Sequence, residues 1–167
     1  SVTTAALIPS FTLTSDVLAV ARGNRLFLYN VEGDFLSEPH VVSLYGIISK
    51  IIPLSYSISS TILIILSDLR SCILRWDEDQ NEVETISVGN LMQSKIQSMP
   101  VYFKYAVIPS ALVIQLHPYT LTVFPITSNS TLGTPFPITV SCKSVLDFVF
   151  IGPISKVTRL SVLTEEI

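Results

Sequence analysis

The chain has 167 residues, a formal net charge of −3, 14 % charged residues and 49 % hydrophobic ones. That length fits one domain or part of one, and so apolar a composition is what strands buried on both faces produce. The mildly acidic charge is dispersed and holds no basic stripe, which excludes phosphate-driven nucleic-acid binding by this segment.

Along the chain, an Ile-Pro pair at Ile8-Pro9 closes a first apolar stretch. Val17–Arg22 and Arg25–Val31 are two apolar runs separated by Gly23-Asn24. Glycine at the first turn position predicts a type II′ hairpin, because that position needs a positive φ. Glu32-Gly33-Asp34 reads as a polar loop, and Val41–Leu44 as the strand after it. The pattern then repeats. Ile47–Ile52, ending at Ile52-Pro53, and Thr61–Leu66 are strands; Asp68-Leu69-Arg70 turns into Ser71–Trp76, where Cys72, Leu74 and Trp76 share one face. Asp77–Asn81 is a polar loop and Val83–Val88 an outer strand.

Leu91, Met92, Lys95, Ile96 and Met99 follow helical spacing, with Asn90 placed to cap the first turn. A short helix is expected there, covering an apolar edge or docking a partner. The third repeat runs Val101–Ile108, Ala111–Leu116, Thr120–Phe124 and Ile138–Val140, with a turn at His117-Pro118-Tyr119 and a polar loop over Thr127–Pro135. Val145–Phe150, the looser marker Ile151-Gly152-Pro153 and Thr158–Leu163 begin a fourth. A repeat of roughly 45–50 residues is the length of a four-stranded propeller blade. The expected fold is therefore all-β: a partial β-propeller of four-stranded antiparallel blades, about three blades and the start of a fourth. Tyr29 and Trp76, at the ends of the third strands of neighbouring blades, are expected to pack between them.

The most membrane-like stretch, Gly46–Leu66, is interrupted by Lys50, Pro53 and five serines, and its longest apolar run, Ile62–Leu66, is strand-sized. A spanning helix needs about 20 apolar residues. No membrane contact is expected, and the opening residues lack the basic-then-apolar order of a secretory leader. Cys72 and Cys142 lie far apart, which suits a reducing compartment and two buried thiols rather than a disulfide framework or a nucleophile.

No Walker loop, GxGxxG, GxSxG, HExxH or CxxC pattern occurs. His40 and His117 have no ligand-type spacing to a Cys or carboxylate. Asp77-Glu78-Asp79 reads as a metal loop or a solvated hairpin tip, and it lacks the alternating ligands and glycine of an EF-hand. No catalytic, cofactor-binding, metal or small-molecule site is therefore expected. Chain direction puts Arg22, Asn24, Arg70, His117 and Tyr119 (from the turns) and Tyr45 (from an inter-blade link) on one face. Glu32, Asp34, Asp77–Asp79 and Ser128–Ser130 fall on the opposite one. Aromatic and Arg side chains are the types that anchor interfaces, so the first set are the candidate protein-binding residues.

The ordered set Leu18-Ala19-Val20-Ala21, Arg25-Leu26-Phe27-Leu28-Tyr29, Leu44-Tyr45-Gly46-Ile47, Ile64-Ile65-Leu66, Ser71-Cys72-Ile73-Leu74, Gly89-Asn90 with Ile96, Gln115-Leu116, Val123-Phe124-Pro125 and Val145-Leu146-Asp147-Phe148-Val149-Phe150 resembles the family of the large subunit of the damaged-DNA-binding heterodimer. No single motif is specific; the order and spacing are. The chain departs from the family at His117-Pro118-Tyr119, where the family has a tyr-asp-gly turn, and at Arg75, where it has an acidic residue. The same domain type occurs in the propeller subunits of splicing factor 3b and of the cleavage and polyadenylation factor.

The resemblance implies that residues 1–167 are the N-terminal part of the first propeller of a longer, multi-propeller protein. It implies a non-catalytic scaffold of nucleus and cytoplasm that links substrate receptors to a cullin-RING ubiquitin ligase and works in DNA repair with a small damaged-DNA-binding subunit. Cullin and receptor proteins would be its partners. The alternative reading is a scaffold subunit of an RNA-processing complex. A propeller hydrolase is a third, opposed by the apolar inner strands Ile47–Ile52 and Val145–Phe150.

Overall fold

The computed structural model describes residues 1–12, 14–54, 61–91, 100, 103–152 and 159–166. Among these residues there are strands and turns and no helix. The helix expected over residues 91–99 lies outside them beyond Leu91, as do the first residues of the expected Val101 strand and Thr158. The chain divides into two compact units, Ser1–Met99 and Pro100–Ile167.

The first unit holds two sheets. One contains β1 (Thr4–Ile8), β2 (Val17–Arg22), β3 (Arg25–Glu32), β4 (Phe35–Leu36) and β5 (His40–Ser43). Its order is β1-β2-β3; β5 pairs with the first half of β3 and β4 with its last two residues. The other is β6 (Ile48–Pro53), β7 (Thr61–Leu66), β8 (Arg70–Asp77) and β9 (Glu82–Asn90), in sequence order. The second unit holds β10 (Lys104–Ile108), β11 (Ala111–His117), β12 (Thr120–Pro125) and β13 (Phe136–Thr139), again in order, and the pair β14 (Ser144–Ile151) with β15 (Arg159–Glu165). Every pairing is antiparallel. The sheets β6–β9 and β10–β13 are four-stranded meanders of the kind from which propeller blades are made, the first sheet is such a meander with β4 added, and β14–β15 is a two-stranded start; the Ile-Pro markers fall at the ends of β1, β6 and β10.

Three hairpins join the second and third strands, each by different turn chemistry. Arg22 pairs with Arg25 across a two-residue loop. Gly23 has φ 62° and Asn24 is not left-handed, as a II′ turn requires. Between β7 and β8 the loop has three residues. Leu69 donates its N–H to the Leu66 carbonyl at 3.0 Å and takes φ 67°. That position usually carries glycine; here the side chain is fully buried, which offsets the left-handed cost. The third turn, Pro118-Tyr119, has no left-handed residue. Unprimed two-residue turns splay the flanking strands, and the β11–β12 register slips between Gln115 and His117 to accommodate it.

The core of the first unit lies between its two sheets. Val17, Ala19, Ala21, Leu26 and Leu28 meet Ile48, Ile51, Ile62, Ile64, Leu66, Leu74 and Trp76. Trp76 sits in this layer, its ring edge-to-face with His40 at 4.8 Å and 70°. Tyr29 does not join it. Strand alternation puts Tyr29 on the face of β3 opposite Leu26 and Leu28, half-buried, so the expectation that both aromatics fill the inter-sheet layer holds for Trp76 alone. In the second unit Val113, Leu121 and Val123 pack on Cys142, Val145 and Phe148.

The two aromatics should therefore differ on truncation. Trp76→Ala should cost about 3–5 kcal/mol of stability, and Tyr29→Ala no more than about 1–2 kcal/mol, read from urea midpoints of the two variants. Equal shifts would contradict this placement.

Candidate functional site

Three segments converge at one end of the first unit: the Gly23-Asn24 turn, the link from β5 to β6, and the β7–β8 turn. The link is held to the first turn by backbone hydrogen bonds. Leu44 donates to the Asn24 carbonyl at 2.8 Å and Ile48 to the Gly23 carbonyl at 2.9 Å, while Asn24 Nδ2 donates to the Leu44 carbonyl at 3.2 Å. The second turn holds the link from the other side. Ser67 donates to the Ile47 carbonyl at 2.9 Å, and Arg70 Nη2 donates to the Tyr45 carbonyl at 2.9 Å.

Arg70 is itself fixed by Asp68, Nε to Oδ2 at 2.6 Å, with the Arg70 N–H on Oδ1 at 3.1 Å. Desolvation pushes the Asp68 carboxyl up, but the Arg70 N–H, guanidinium hydrogen bond and charge together hold it below the usual carboxylate range. Its contribution is present above the ordinary carboxylate pKa and is lost only as pH falls through the lowered one. Gly46 passes close to the second turn: a Cβ there would lie 2.9 Å from Arg70 Nη2 and 3.0 Å from Leu66 Cδ1, so the guanidinium would have to shift.

The structure thus brings four of the six candidate residues together. Tyr45 is 94 % exposed on a link whose backbone is tied on both sides. Arg22 lies over the Phe27 ring, 5.7 Å from its centroid. Asn24 and Arg70 are exposed too, but their polar groups mainly position the link. His117 and Tyr119 belong to the second unit and flank Pro118 in its turn. There Val140 donates to the Tyr119 carbonyl at 2.9 Å and Val145 to that of Pro118 at 2.6 Å. Gln115, buried, adds Nε2 bonds to the carbonyls of Pro118 at 3.2 Å and Val145 at 3.0 Å.

The other end of the first unit is acidic. Glu32 and Asp34 lie at the β3–β4 hairpin and Asp77–Asp79 at the β8–β9 turn. Asp77 Oδ1 accepts the N–H groups of Asp79 at 2.9 Å and Gln80 at 3.2 Å, so its carboxylate closes the turn. Among the described residues no group of three or more His, Cys, Asp and Glu side chains gathers as a metal-holding set. Sequence reading missed β4 here: Phe35, 66 % exposed, and Leu36 follow directly on the Glu32–Asp34 loop.

Between the sheets of this unit runs a trough. One hollow of about 370 Å³ is lined by Val42, Leu44, Tyr45, Arg70, Cys72 and Val88 among others, and a second of about 310 Å³ by His40, Val42, Glu82 and Val83. Cys72 is unpaired and half-buried in its wall, and burial pushes its thiol up to about 11.

No protein-family model matches the chain, and no curated protein matches it.

With the Cys72 thiol so high, the thiolate is a small minority at pH 8. Iodoacetamide should alkylate Cys72 about a hundredfold more slowly in the folded protein than in urea, as followed by peptide mass spectrometry. Labelling at the urea rate would show an open, polarised thiol instead.

Proposed function

We propose that the chain is a non-catalytic protein-interaction scaffold. It would be the N-terminal part of the first propeller of an adaptor that links substrate receptors to a cullin-RING ubiquitin ligase and acts in DNA-damage recognition. The ordered resemblance to the damaged-DNA-binding large subunit supplies the ligase and DNA-repair part of this reading, with the small damaged-DNA-binding subunit among the partners. One observation carries the interaction part: Tyr45, almost fully exposed on a link that Asn24 and Arg70 hold rigid. A large aromatic presented on fixed backbone loses little conformational freedom when it is buried by a partner. Arg22 stands on the preceding turn. The polar groups of Asn24 and Arg70 support backbone, as binding platforms do, rather than aim at a common reacting atom.

The test is affinity purification of the protein with mass spectrometry of what it retains. Cullin and receptor peptides are expected; spliceosomal or polyadenylation peptides instead would move the scaffold to RNA processing. Arg22→Glu with Tyr45→Ala should reduce receptor recovery at least about tenfold. Asp34→Lys with Asp79→Lys, at the acidic end, should leave it unchanged. Arg70 is left intact because its loss would loosen the link itself. Equal loss from both pairs would reject the assignment of the docking end.

A further inference from the structure

We propose that the trough between β5 and β9 receives an extended segment of a partner protein, acidic at its N-terminal end and basic at its C-terminal end, which adds antiparallel to β5. The proposal rests on the docking role given above to the Tyr45 end of the first unit and names the kind of segment that docks.

The first support is an open edge beside an apolar channel. Among the described residues β5 pairs only with β3, so its outer edge presents unmatched backbone donors and acceptors. The channel wall offers Val42 and Leu44 from the first sheet and Cys72 and Val88 from the second, with Val88 80 % exposed. Hydroxyls of Ser71 and Thr85 are interspersed. A strand fits such a wall because every second side chain can enter the channel while its backbone completes the open edge. A helix would leave β5 unpaired. From His40 to Tyr45 the channel follows six residues, about 20 Å of extended chain.

The second support is the sign of charge at each end. The two hollows lie in line: His40 and Glu82 border one, Tyr45, Arg70 and Gly89 the other. Arg70 is the cation of the upper end. Asp68 offsets part of its charge through Nε, but among the described residues Nη1 makes no hydrogen bond. Glu82 is the anion of the lower end, and its cross-strand neighbour Asp77 adds a second carboxylate there. An incoming strand with its carboxylates at Arg70 and its amines at Glu82 is matched at both ends, and the reverse strand is opposed at both. β5 runs from the Glu82 end to the Arg70 end. An antiparallel strand, the more stable pairing, therefore enters at Arg70 with its N-terminus, which fixes the order of charges.

The test is fluorescence anisotropy of the purified protein with a labelled probe of about nine residues. The probe has two aspartates, then alternating valine and threonine, then two lysines, with both termini blocked. It should bind, and the charge-swapped peptide (lysines first, aspartates last) should bind at least about tenfold more weakly. N-methylation of alternate residues, which removes the edge hydrogen bonds, should abolish binding in one of the two possible phases and spare it in the other. Val88→Lys, at an exposed position that tolerates the change, should weaken the first peptide about tenfold while circular dichroism stays unchanged. No binding, equal affinity for both charge orders, indifference to N-methylation, or indifference to Val88→Lys would each overturn the assignment. Because the probe is not the ligase partner, such a result removes the trough and leaves the scaffold reading to its own pulldown.

Discussion

What each unit depends on is a pair of backbone hydrogen bonds from the link between its two sheets onto the turn between the second and third strands. Turn carbonyls at a sheet end point outward and have no ladder partner. Left facing other protein they would carry the desolvation penalty of an unmade bond, about 1–3 kcal/mol each. In the first unit Asn24 and Gly23 give these carbonyls to Leu44 and Ile48. In the second, Tyr119 and Pro118 give theirs to Val140 and Val145. The residue leaving the fourth strand takes the second turn carbonyl, and a residue entering the next sheet takes the first. Leu91, leaving β9, takes the carbonyl of Leu69 in the same way. Within each unit, therefore, one device ties the first sheet to the start of the second.

That tie explains why the inter-sheet cores can be built from small and β-branched residues. Once a link is fixed on the turn, the first strand of the following sheet starts at a set place over the preceding one. Ala19 and Ala21, both fully buried, let the sheets approach closely in the first unit. Trp76 lies in the same layer and meets His40 edge-on. In the second unit the turn contains Pro118, which has no N–H to contribute. Gln115 compensates with an amide that bridges the Pro118 and Val145 carbonyls. Its Oε1 is buried with no partner among the described residues, so the bridge is held at a cost that an all-backbone turn avoids.

Much of this was legible from the residues. The strands β2 and β7 begin and end where their apolar runs do, because Gly23 and the Ser67–Arg70 segment are turn chemistry on any backbone. What was not legible depended on which face, rather than on which element. Tyr29 and Trp76 both read as third-strand aromatics, but β3 alternates strictly and Tyr29 has the parity that faces away from the neighbouring sheet. Phe35-Leu36, between the Glu32–Asp34 loop and the Val41–Leu44 strand, carried no assignment because two residues are too few to show a period, and only pairing with Val31 and Glu32 makes them a strand. Arg70 reads as an interface anchor from its residue type. Its fixed neighbours Asp68 and the Tyr45 carbonyl come from a turn two residues back and a link 25 residues back, and only the first is visible in local sequence.

The role of Arg70 bears on how an exposed aromatic can be held on fixed backbone without being buried. Among the described residues Tyr45 has no side-chain partner of its own; its backbone is held by the carbonyl that Arg70 binds, with Gly46 beside it, where a Cβ would make that same guanidinium shift. The Asp68 carboxylate fixes Arg70 and keeps its charge well into acid, so the support does not switch within the physiological range. An ion pair this exposed contributes little to global stability, since solvent screens it and two long side chains must be ordered. Its value is positional. It converts a surface charge pair of small energetic weight into a constraint on the backbone of the residue beside it. The sequence separation between Tyr45 and Arg70 means that this constraint exists only once both sheets of the unit are assembled.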